Sequence, residues 1–551
     1  MLKNSERKIF LPVISSGVLF GLSFPPSKFS FLIFLSLALL LDIILKTENL
    51  KKIIIRSYTV FLIAGLIAVS WIAFSGIRDG ADPFLIAGGM VVVLIYPVFF
   101  VIPSLLLYYI KKNSGERNIY LFFLSFPFVW TGFEYFSSLS QISFPWLLAG
   151  NSQTYLLDKI QYAEFTGVFG VSFWICVLSI LVYFYIRKIQ IGKWKLISLR
   201  SFLVILAIIF LYIAPDVANN ISDSKIQYTD FKGKGKVKIG IIQPNINPWK
   251  KWGGKQTDLI NGYANEIIKI QKDNPDLEMA ILPETAFPYY FRESIFEEKY
   301  RIIKNVSDSL SLPVLAGTPD LEIYKDQNSA PNDAKIMKSN GIKYDTYNSA
   351  FLFEPEKNKD TYQKHYKVKL VAGSERMPYQ ELFPFTKNLM EWGVGLGSWQ
   401  IGNDTNLFDL KGKYKFNTAI CYESVYPEFF SEFVKKGADF SVIITNDGWW
   451  GKLSGTYQHN QFAVYRAIEN RIWIARCANT GISEFIDPYG NMLDKTEIDT
   501  KVNIVHEIGL KGEDTFYTRN GDFFSRICLY CGLIMFGFSF FMRIKKFNPR
   551  D

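Results

Sequence analysis

Three residue types that together can break and remake a carbonyl bond lie in separate strings of this chain. Cys421 closes the strand-like run Asn417-Thr418-Ala419-Ile420 and precedes Tyr422-Glu423, with a helix start near Pro427. A thiol between a strand end and a helix start is well placed to meet substrate and backbone donors. Glu284 follows the apolar run Ala280-Ile281-Leu282 and Pro283. A carboxylate on such an enclosed loop can have its pKa raised enough to act as a general base. Lys367, with Lys364 and Lys369 beside it, offers an ammonium that would stabilise an oxyanion and favour the thiolate. Each also has a plain reading: a core cysteine, a solvated glutamate, a basic strand. A Cys-His protease pairing is the obvious rival, open to His459 at the start of an amphipathic helix and to His506 in a strand-like tail. No His-Glu-x-x-His string and no closely spaced Cys/His set is present, so neither a metal site nor a metal or nucleotide cofactor is expected.

The elements that must position these groups divide the chain. Its 551 residues leave room for more than one domain, and 49% hydrophobic and 16% aromatic content is high for a soluble protein. The net charge of +10 is spread over short loops beside apolar segments, which argues against nucleic-acid binding. Five cysteines make no disulfide framework. A Cys421–Cys477 bridge would block a nucleophile, and Cys528-x-x-Cys531 falls in an apolar run, where thiols pack as small hydrophobes.

Apolar runs at 9–24, 29–45, 57–74, 84–110, 120–136, 168–186, 202–213 and 527–542 read as membrane spans, several of them short of the ~20 residues a bilayer needs. Lys3, Arg7 and Lys8 before the first run resemble a signal peptide, but Pro25-Pro26 and another apolar run follow at once, so a retained helix is expected. Basic residues crowd alternate loops: Lys46, Lys51, Lys52 and Arg56; Lys111, Lys112 and Arg117; Arg187, Lys188, Lys193, Lys195 and Arg200. That asymmetry puts these loops in the cytoplasm and the large polar domain outside. The expected division is a seven-helix membrane domain over 1–218, an extracytoplasmic domain over 219–522, and a closing helix with a cytoplasmic tail over 523–551.

Within 219–522, strand-like runs at 237–242, 279–282, 312–316, 349–353, 414–420, 441–445, 472–478 and 483–486 alternate with helical patterns at 258–271, 296–309, 426–436 and 459–468. The order implies a layered α/β architecture. The polar stretch 325–345 reads as a surface insertion. Residues 377–399 are unusually apolar and aromatic, with Trp392 and Trp399 among them. The stretch reads either as a gate lying against the bilayer or as a core loop of the domain.

Several strings together carry a family resemblance. Leu282-Pro283-Glu284-Thr285-Ala286-Phe287-Pro288, Lys367 ahead of Glu375, and Ile420-Cys421-Tyr422-Glu423 resemble the Glu-Lys-Cys set of the nitrilase superfamily. Thr445-Asn446-Asp447-Gly448-Trp449-Trp450-Gly451, Gln458-His459 and Ala478-Asn479-Thr480-Gly481 are similar to its membrane-integrated branch, the apolipoprotein N-acyltransferases. In the apolar part, Gly21-Leu22-Ser23-Phe24-Pro25-Pro26 and Phe144-Pro145-Trp146 extend the likeness. The resemblance implies a nitrilase-like αββα sandwich inserted in a bundle of about eight transmembrane helices. It implies Glu284 as base, Lys367 as oxyanion stabiliser and Cys421 as nucleophile, with Glu375, Tyr422 and Glu423 in support. The implied reaction moves an acyl chain from a membrane phospholipid, through a Cys thioester, to the α-amine of a diacylglyceryl-cysteine on an apolipoprotein. The implied place is the bacterial inner membrane, with the catalytic domain on the periplasmic side. The alternatives are a membrane-tethered nitrilase-type amidase and a non-catalytic, lipoprotein-binding paralogue. The first needs only one span as tether, and the second would form no thioester.

Overall fold

The computed structural model describes residues 4–190, 198–223, 235–253, 256–383, 385 and 398–547. Two compact units result: Met1–Phe74, Ile86–Gln227 and Asn520–Asp551 form one, and Ser75–Leu85 with Tyr228–Arg519 the other.

The first unit is helical: α1 (Asn4–Leu22), α2 (Leu32–Lys46), α3 (Leu50–Ala68), α4 (Trp71–Ser75), α5 (Phe84–Ser114), α6 (Ile119–Ser138), α7 (Leu157–Ile160), α8 (Ala163–Gln190) and α9 (Leu199–Asp223), closed by the helix Phe523–Phe547. A helix stands at each expected span, and among the described residues six are long and apolar enough to cross a bilayer. The first two fall short of that length. Ile9–Leu22 is a shorter apolar helix, cut off ahead of Pro25-Pro26, and α2 spans 15 residues. The third begins earlier than expected, because Asn49 caps α3 by accepting the Lys52 N–H at 3.2 Å. Lys51, Lys52 and Arg56 therefore ride on the helix rather than in a loop.

The second unit holds the α/β fold. Its first sheet contains β1 (Lys236–Gln243), β2 (Met279–Ile281), β3 (Val314–Ile323), β4 (Lys335–Ile336), β5 (Lys343–Phe353) and β6 (Lys364–Tyr366). The second contains β7 (Leu407–Leu410), β8 (Tyr414–Ile420), β9 (Phe440–Thr445), β10 (Ile474–Ala478), β11 (Glu484–Ile486) and β12 (Met492–Leu493), and β13 (Val502–Gly509) returns to the first. The sheet orders are β13-β1-β2-β3-β5-β4, with β6 beside β5, and β12-β11-β10-β9-β8-β7. The period of two along each strand sends alternate residues to opposite layers. Phe440, Val442 and Ile444 of β9 meet Ile239, Ile241, Met279 and Ile281 between the sheets. The intervening Ile443 faces outward to Phe430, Val434, Ala463 and Ala467, on α12 (Pro427–Lys435) and α13 (Ser454–Asn470). On the other flank Ile260, Ile267, Ile303 and Val306 cover Ala280, Leu282 and Val314, from α10 (Gln256–Asp273) and α11 (Glu297–Leu310). The layers therefore run helix, sheet, sheet, helix, and each fully buried Ile or Val contributes about 1.5–3 kcal/mol.

The 325–345 stretch departs from a bare surface insertion. Asp333 within it is 4% exposed. Its Oδ2 accepts from Arg376 Nη2 at 2.5 Å and from Gln380 Nε2 at 3.0 Å. Arg376 also donates to the Trp399 carbonyl at 3.2 Å, and Ser398 Oγ to Gln380 at 2.8 Å. One buried carboxylate thus ties both ends of the aromatic segment. Asp333→Ala leaves the buried Arg376 with only the longer Glu381 ion pair at 3.5 Å among the described residues, and is expected to cost about 1.5–3 kcal/mol. A thermal midpoint in detergent equal to that of the unmodified chain would refute that role.

Candidate functional site

Three strand ends of the second unit bring the polar groups together. Glu284 follows β2, and Gly317 on β3 lets the two backbones close. A Cβ at Gly317 would lie 2.5 Å from Thr285 N and 2.6 Å from Glu284 Cα. Lys367 follows β6, whose pairing with β5 sets Ser349 opposite Tyr366. The Lys367 N–H then donates to the Asn348 carbonyl at 2.8 Å. Cys421 follows β8 and takes φ +52°, a left-handed conformation that costs a non-glycine residue about 1–2 kcal/mol.

The side chains converge. Lys367 Nζ donates to Glu284 Oε1 at 3.2 Å and to Glu375 Oε1 at 2.8 Å. Asn348 Nδ2 donates to the same two oxygens, at 2.8 and 3.1 Å. Glu375 Oε2 accepts the Val371 N–H at 2.8 Å, closing a turn in which Gly373 takes φ +76°. The run Leu370-Val371-Ala372-Gly373-Ser374 thus returns Glu375 to the lysine. The neighbouring lysines point elsewhere: Lys364 pairs with Glu322, and Lys369 lies over the Tyr426 ring at 5.2 Å.

Glu423 fastens the two halves. Its Oε2 accepts the Ile420 N–H at 2.7 Å, just before Cys421, and its Oε1 accepts the Val368 N–H at 2.6 Å, just after Lys367. His365 Nε2 lies 3.1 Å from the same carboxylate. Tyr422 is buried with its ring edge-on to Tyr426, centroids 5.3 Å apart. His459 Nε2 is 3.2 Å from the Cys421 carbonyl oxygen. The Cys-His rival would need that nitrogen on the thiol. His506 is partly exposed and pairs with Asp494. Cys421 and Cys477 are both free.

The electrostatics follow from burial. Burial pushes the Cys421 thiol up, Glu284 adds to the rise, and Lys367 opposes it. Burial disfavours the Lys367 ammonium, but Glu284 and Glu375 outweigh it and hold its pKa above the ordinary lysine value. The resting state therefore pairs a protonated thiol with a cationic lysine between two glutamates. A neutral nucleophile needs a base at the moment of attack, and Glu284 is the carboxylate shared with the lysine.

Sequence reasoning passed over Asn348 and Lys251. Lys251 Nζ donates to the Thr285 carbonyl at 2.9 Å and to its hydroxyl, bracing the turn after Glu284, where Thr285 takes φ +47°. No spacing announced either residue; both arrive through tertiary pairing. Trp399 is 5% exposed and donates its N–H to the Glu375 carbonyl at 2.9 Å, so it belongs to the base of the aromatic segment, not to a surface gate. Trp392 lies outside the described residues. Among the described residues no group of His, Cys, Asp and Glu could hold a metal.

Two sandwiched sheets with a buried glutamate, lysine and cysteine at their strand ends define the carbon–nitrogen hydrolase class, and the family model of that description matches residues 238–512. A second, the apolipoprotein N-acyltransferase N-terminal domain, matches residues 16–181. The Chlorobaculum tepidum protein named apolipoprotein N-acyltransferase is 31% identical over 95% of both chains. The Geobacter metallireducens protein of the same name is 29% identical over 95% of this chain and 94% of its own. Among solved structures, Nit3 of Saccharomyces cerevisiae, a member of branch 10 of the nitrilase superfamily, aligns with 50% of this chain and 90% of its own at 16% identity and TM-score 0.36. This chain belongs to the apolipoprotein N-acyltransferase family.

Burial pushes Lys251 down to about 7 from the ordinary 10.5, with Glu284 partly offsetting it. Between those values the unfolded chain binds the extra proton, so stability rises with pH across the window, by at most about 1.4 kcal/mol per unit. The thermal midpoint of the unmodified chain should gain on that of Lys251→Met between pH 7 and pH 10. Parallel curves would refute the assignment.

Proposed function

We propose that Glu284, Lys367 and Cys421 carry out acyl transfer as base, oxyanion stabiliser and nucleophile. The observation that carries this reading is the buried cluster in which the Lys367 ammonium bonds Glu284 and Glu375 and acts electrostatically on the Cys421 thiol. Glu284 takes the thiol proton as Sγ attacks the ester carbonyl of a membrane phospholipid. The oxyanion forms against Lys367 Nζ, where a preorganised cation stabilises it without reorganisation. Collapse breaks the ester C–O bond, and the lysophospholipid alkoxide leaves with the proton from Glu284. The thioester that remains is reactive toward amines, so one difficult transfer becomes two easier ones. The α-amine of a diacylglyceryl-cysteine then attacks and gives a proton to Glu284. The amide forms, the C–S bond breaks, and the proton returns to Sγ.

Glu375 supports this chemistry by holding Lys367, and Glu423 by fixing Lys367 against Cys421. Tyr422 fills the wall beside the nucleophile. The protein is a membrane protein with lipid and lipoprotein substrates. The loop charges support an inner-membrane location, with residues 219–522 as a periplasmic catalytic domain between the membrane segments 1–218 and 523–551. Both substrates would then lie anchored in the adjoining leaflet, which raises their effective concentration at the thiol. At the start of the aromatic segment, Leu382, Phe383 and Phe385 gate acyl chains, and their exposure supports contact with lipid.

The test is incubation of the purified chain in detergent with phospholipid and a diacylated lipopeptide, read by mass spectrometry. Cys421 acylation and lipopeptide N-acylation should both appear, and both should vanish in Cys421→Ala. Acylated Cys421 that yields only free fatty acid would indicate a hydrolase. The absence of acylation in folded protein would indicate a binding protein. For the gate, Phe383→Ser with Phe385→Ser should lower turnover on vesicle-borne phospholipid several-fold with an unchanged thermal midpoint. Trp399→Ser should lower the midpoint itself, because it opens a cavity worth about 3–5 kcal/mol. Unchanged turnover in the double variant would end the gating proposal.

A further inference from the structure

A second buried cluster meets the Cys421 turn through its backbone. It takes up the Asp447 of the Thr-Asn-Asp-Gly-Trp-Trp-Gly string, which the proposed chemistry leaves unused. His459 on α13, Asp447 after β9, Arg476 on β10 and Ser424 are each at most 1% exposed. His459 Nδ1 lies 2.8 Å from Asp447 Oδ1, and Arg476 Nη2 lies 2.9 Å from Asp447 Oδ2. Arg476 is itself held by the Ile482 carbonyl at 2.5 Å. On the other side of the ring, Nε2 is 3.2 Å from the Cys421 carbonyl oxygen and 3.2 Å from Ser424 Oγ. The Ser424 hydroxyl already donates to that carbonyl at 2.8 Å, so its oxygen turns lone pairs toward the ring. Nε2 therefore faces two oxygens, a demand met by a ring that donates from Nε2, while Nδ1 lies between Asp447 Oδ1 and Arg476 Nη2, the latter at 3.2 Å. Burial alone would raise the Asp447 pKa, but Arg476 and His459 hold the carboxylate well below its usual range.

The geometry points to His459, fixed by Asp447, as a positioning residue for acyl transfer: it holds the Cys421–Tyr422 peptide plane, and with it Sγ, in the reactive orientation. This rests on the reading of Cys421 as nucleophile. Three observations converge on that plane. Cys421 is a non-glycine residue at φ +52°, a conformation that persists only where its surroundings over-determine it. Its carbonyl receives hydrogen bonds from two side chains, and the 3-10 turn Cys421–Val425 starts at it. The plane also carries the Tyr422 N–H, and a hydrogen-bond donor on the carbonyl polarises that N–H. An N–H just after a nucleophile on a strained strand-to-helix turn is a common oxyanion donor in acyl-transfer sites. Glu423 thus fixes where the turn sits, and His459 fixes how its peptide is rotated.

The test uses the full chain in detergent, with rapid-quench mass spectrometry of Cys421 acylation at varied phospholipid. His459→Gln places an amide N–H where Nε2 reaches the carbonyl, whereas His459→Asn reaches only the Nδ1 side. His459→Asn should lower the acylation rate constant about 10²-fold with KM for phospholipid little changed. His459→Gln should regain at least about tenfold of that loss, a factor worth ~1.4 kcal/mol in the barrier. The two variants should melt at similar temperatures, which separates this role from packing. Equal rates in the two, or a rate loss that follows the melting temperature, would overturn the proposal. Cys421→Ala is the control on the underlying reading. Transfer surviving in Cys421→Ala overturns the nucleophile assignment and this inference with it. Transfer lost there, with Gln and Asn variants equal, overturns the His459 role alone.

Discussion

One buried carboxylate that touches no reacting atom holds the site together. Glu423 accepts the Ile420 N–H ahead of Cys421 and the Val368 N–H beyond Lys367, so a single side chain spans the two sheets' contributions. Cys421 leaves the second sheet and Lys367 the first. Their separation would otherwise depend on how two apolar sheet faces happen to slide. Hydrogen bonds from backbone N–H groups to an ionised carboxylate are short and directional, and in a dry interior they resist such slippage. Its fully buried charge is costly unless it is paired in this way. His365 at 3.1 Å completes the set.

The same economy governs the reacting groups. A lone buried ammonium would lose its proton, and a lone buried glutamate would gain one. Lys367 keeps its charge because Glu284 and Glu375 flank it. Asn348 lets the two carboxylates approach by donating to both. The thiol has only partial compensation from Lys367 and stays protonated at rest. Lys251 extends the pattern by bracing the turn after Glu284 at a cost in its own ionisation.

The aromatic segment is tied to this machinery by covalent proximity and by the ion pairing of Arg376. Glu375 and Arg376 are adjacent: the first holds Lys367, and the second holds Asp333 and the Trp399 carbonyl. A polar stretch that looks dispensable, residues 325–345, therefore supplies the anchor at the segment's base. The charge of Asp333 is what gives that stretch its place, since an apolar contact would not specify which carbonyl and which guanidinium meet.

The sequence by itself determined the local facts. Apolar runs marked the helices of the membrane unit, short runs rich in β-branched and apolar residues marked β1, β2, β8 and β9, and flanking residues marked Glu284 and Cys421 at strand ends. It could not mark β13, whose half-exposed residues lack a strong alternation and which pairs with β1 across most of the unit's length in sequence. The family resemblance singled out Lys367, but residue type alone did not separate it from Lys364 and Lys369, which differ only in which way a short strand end turns them. Tertiary structure chose among them: the β5–β6 register aims Lys367 at Glu284, while Lys364 meets Glu322 and Lys369 meets aromatic rings. It likewise set His459 against the Cys421 carbonyl, and brought Asn348 and Lys251 to Glu284. The physical reason is range. Propensity and periodicity act over a few residues, whereas the charge pairing that makes a buried site tolerable joins groups far apart in the chain, and only the packed fold sets those distances.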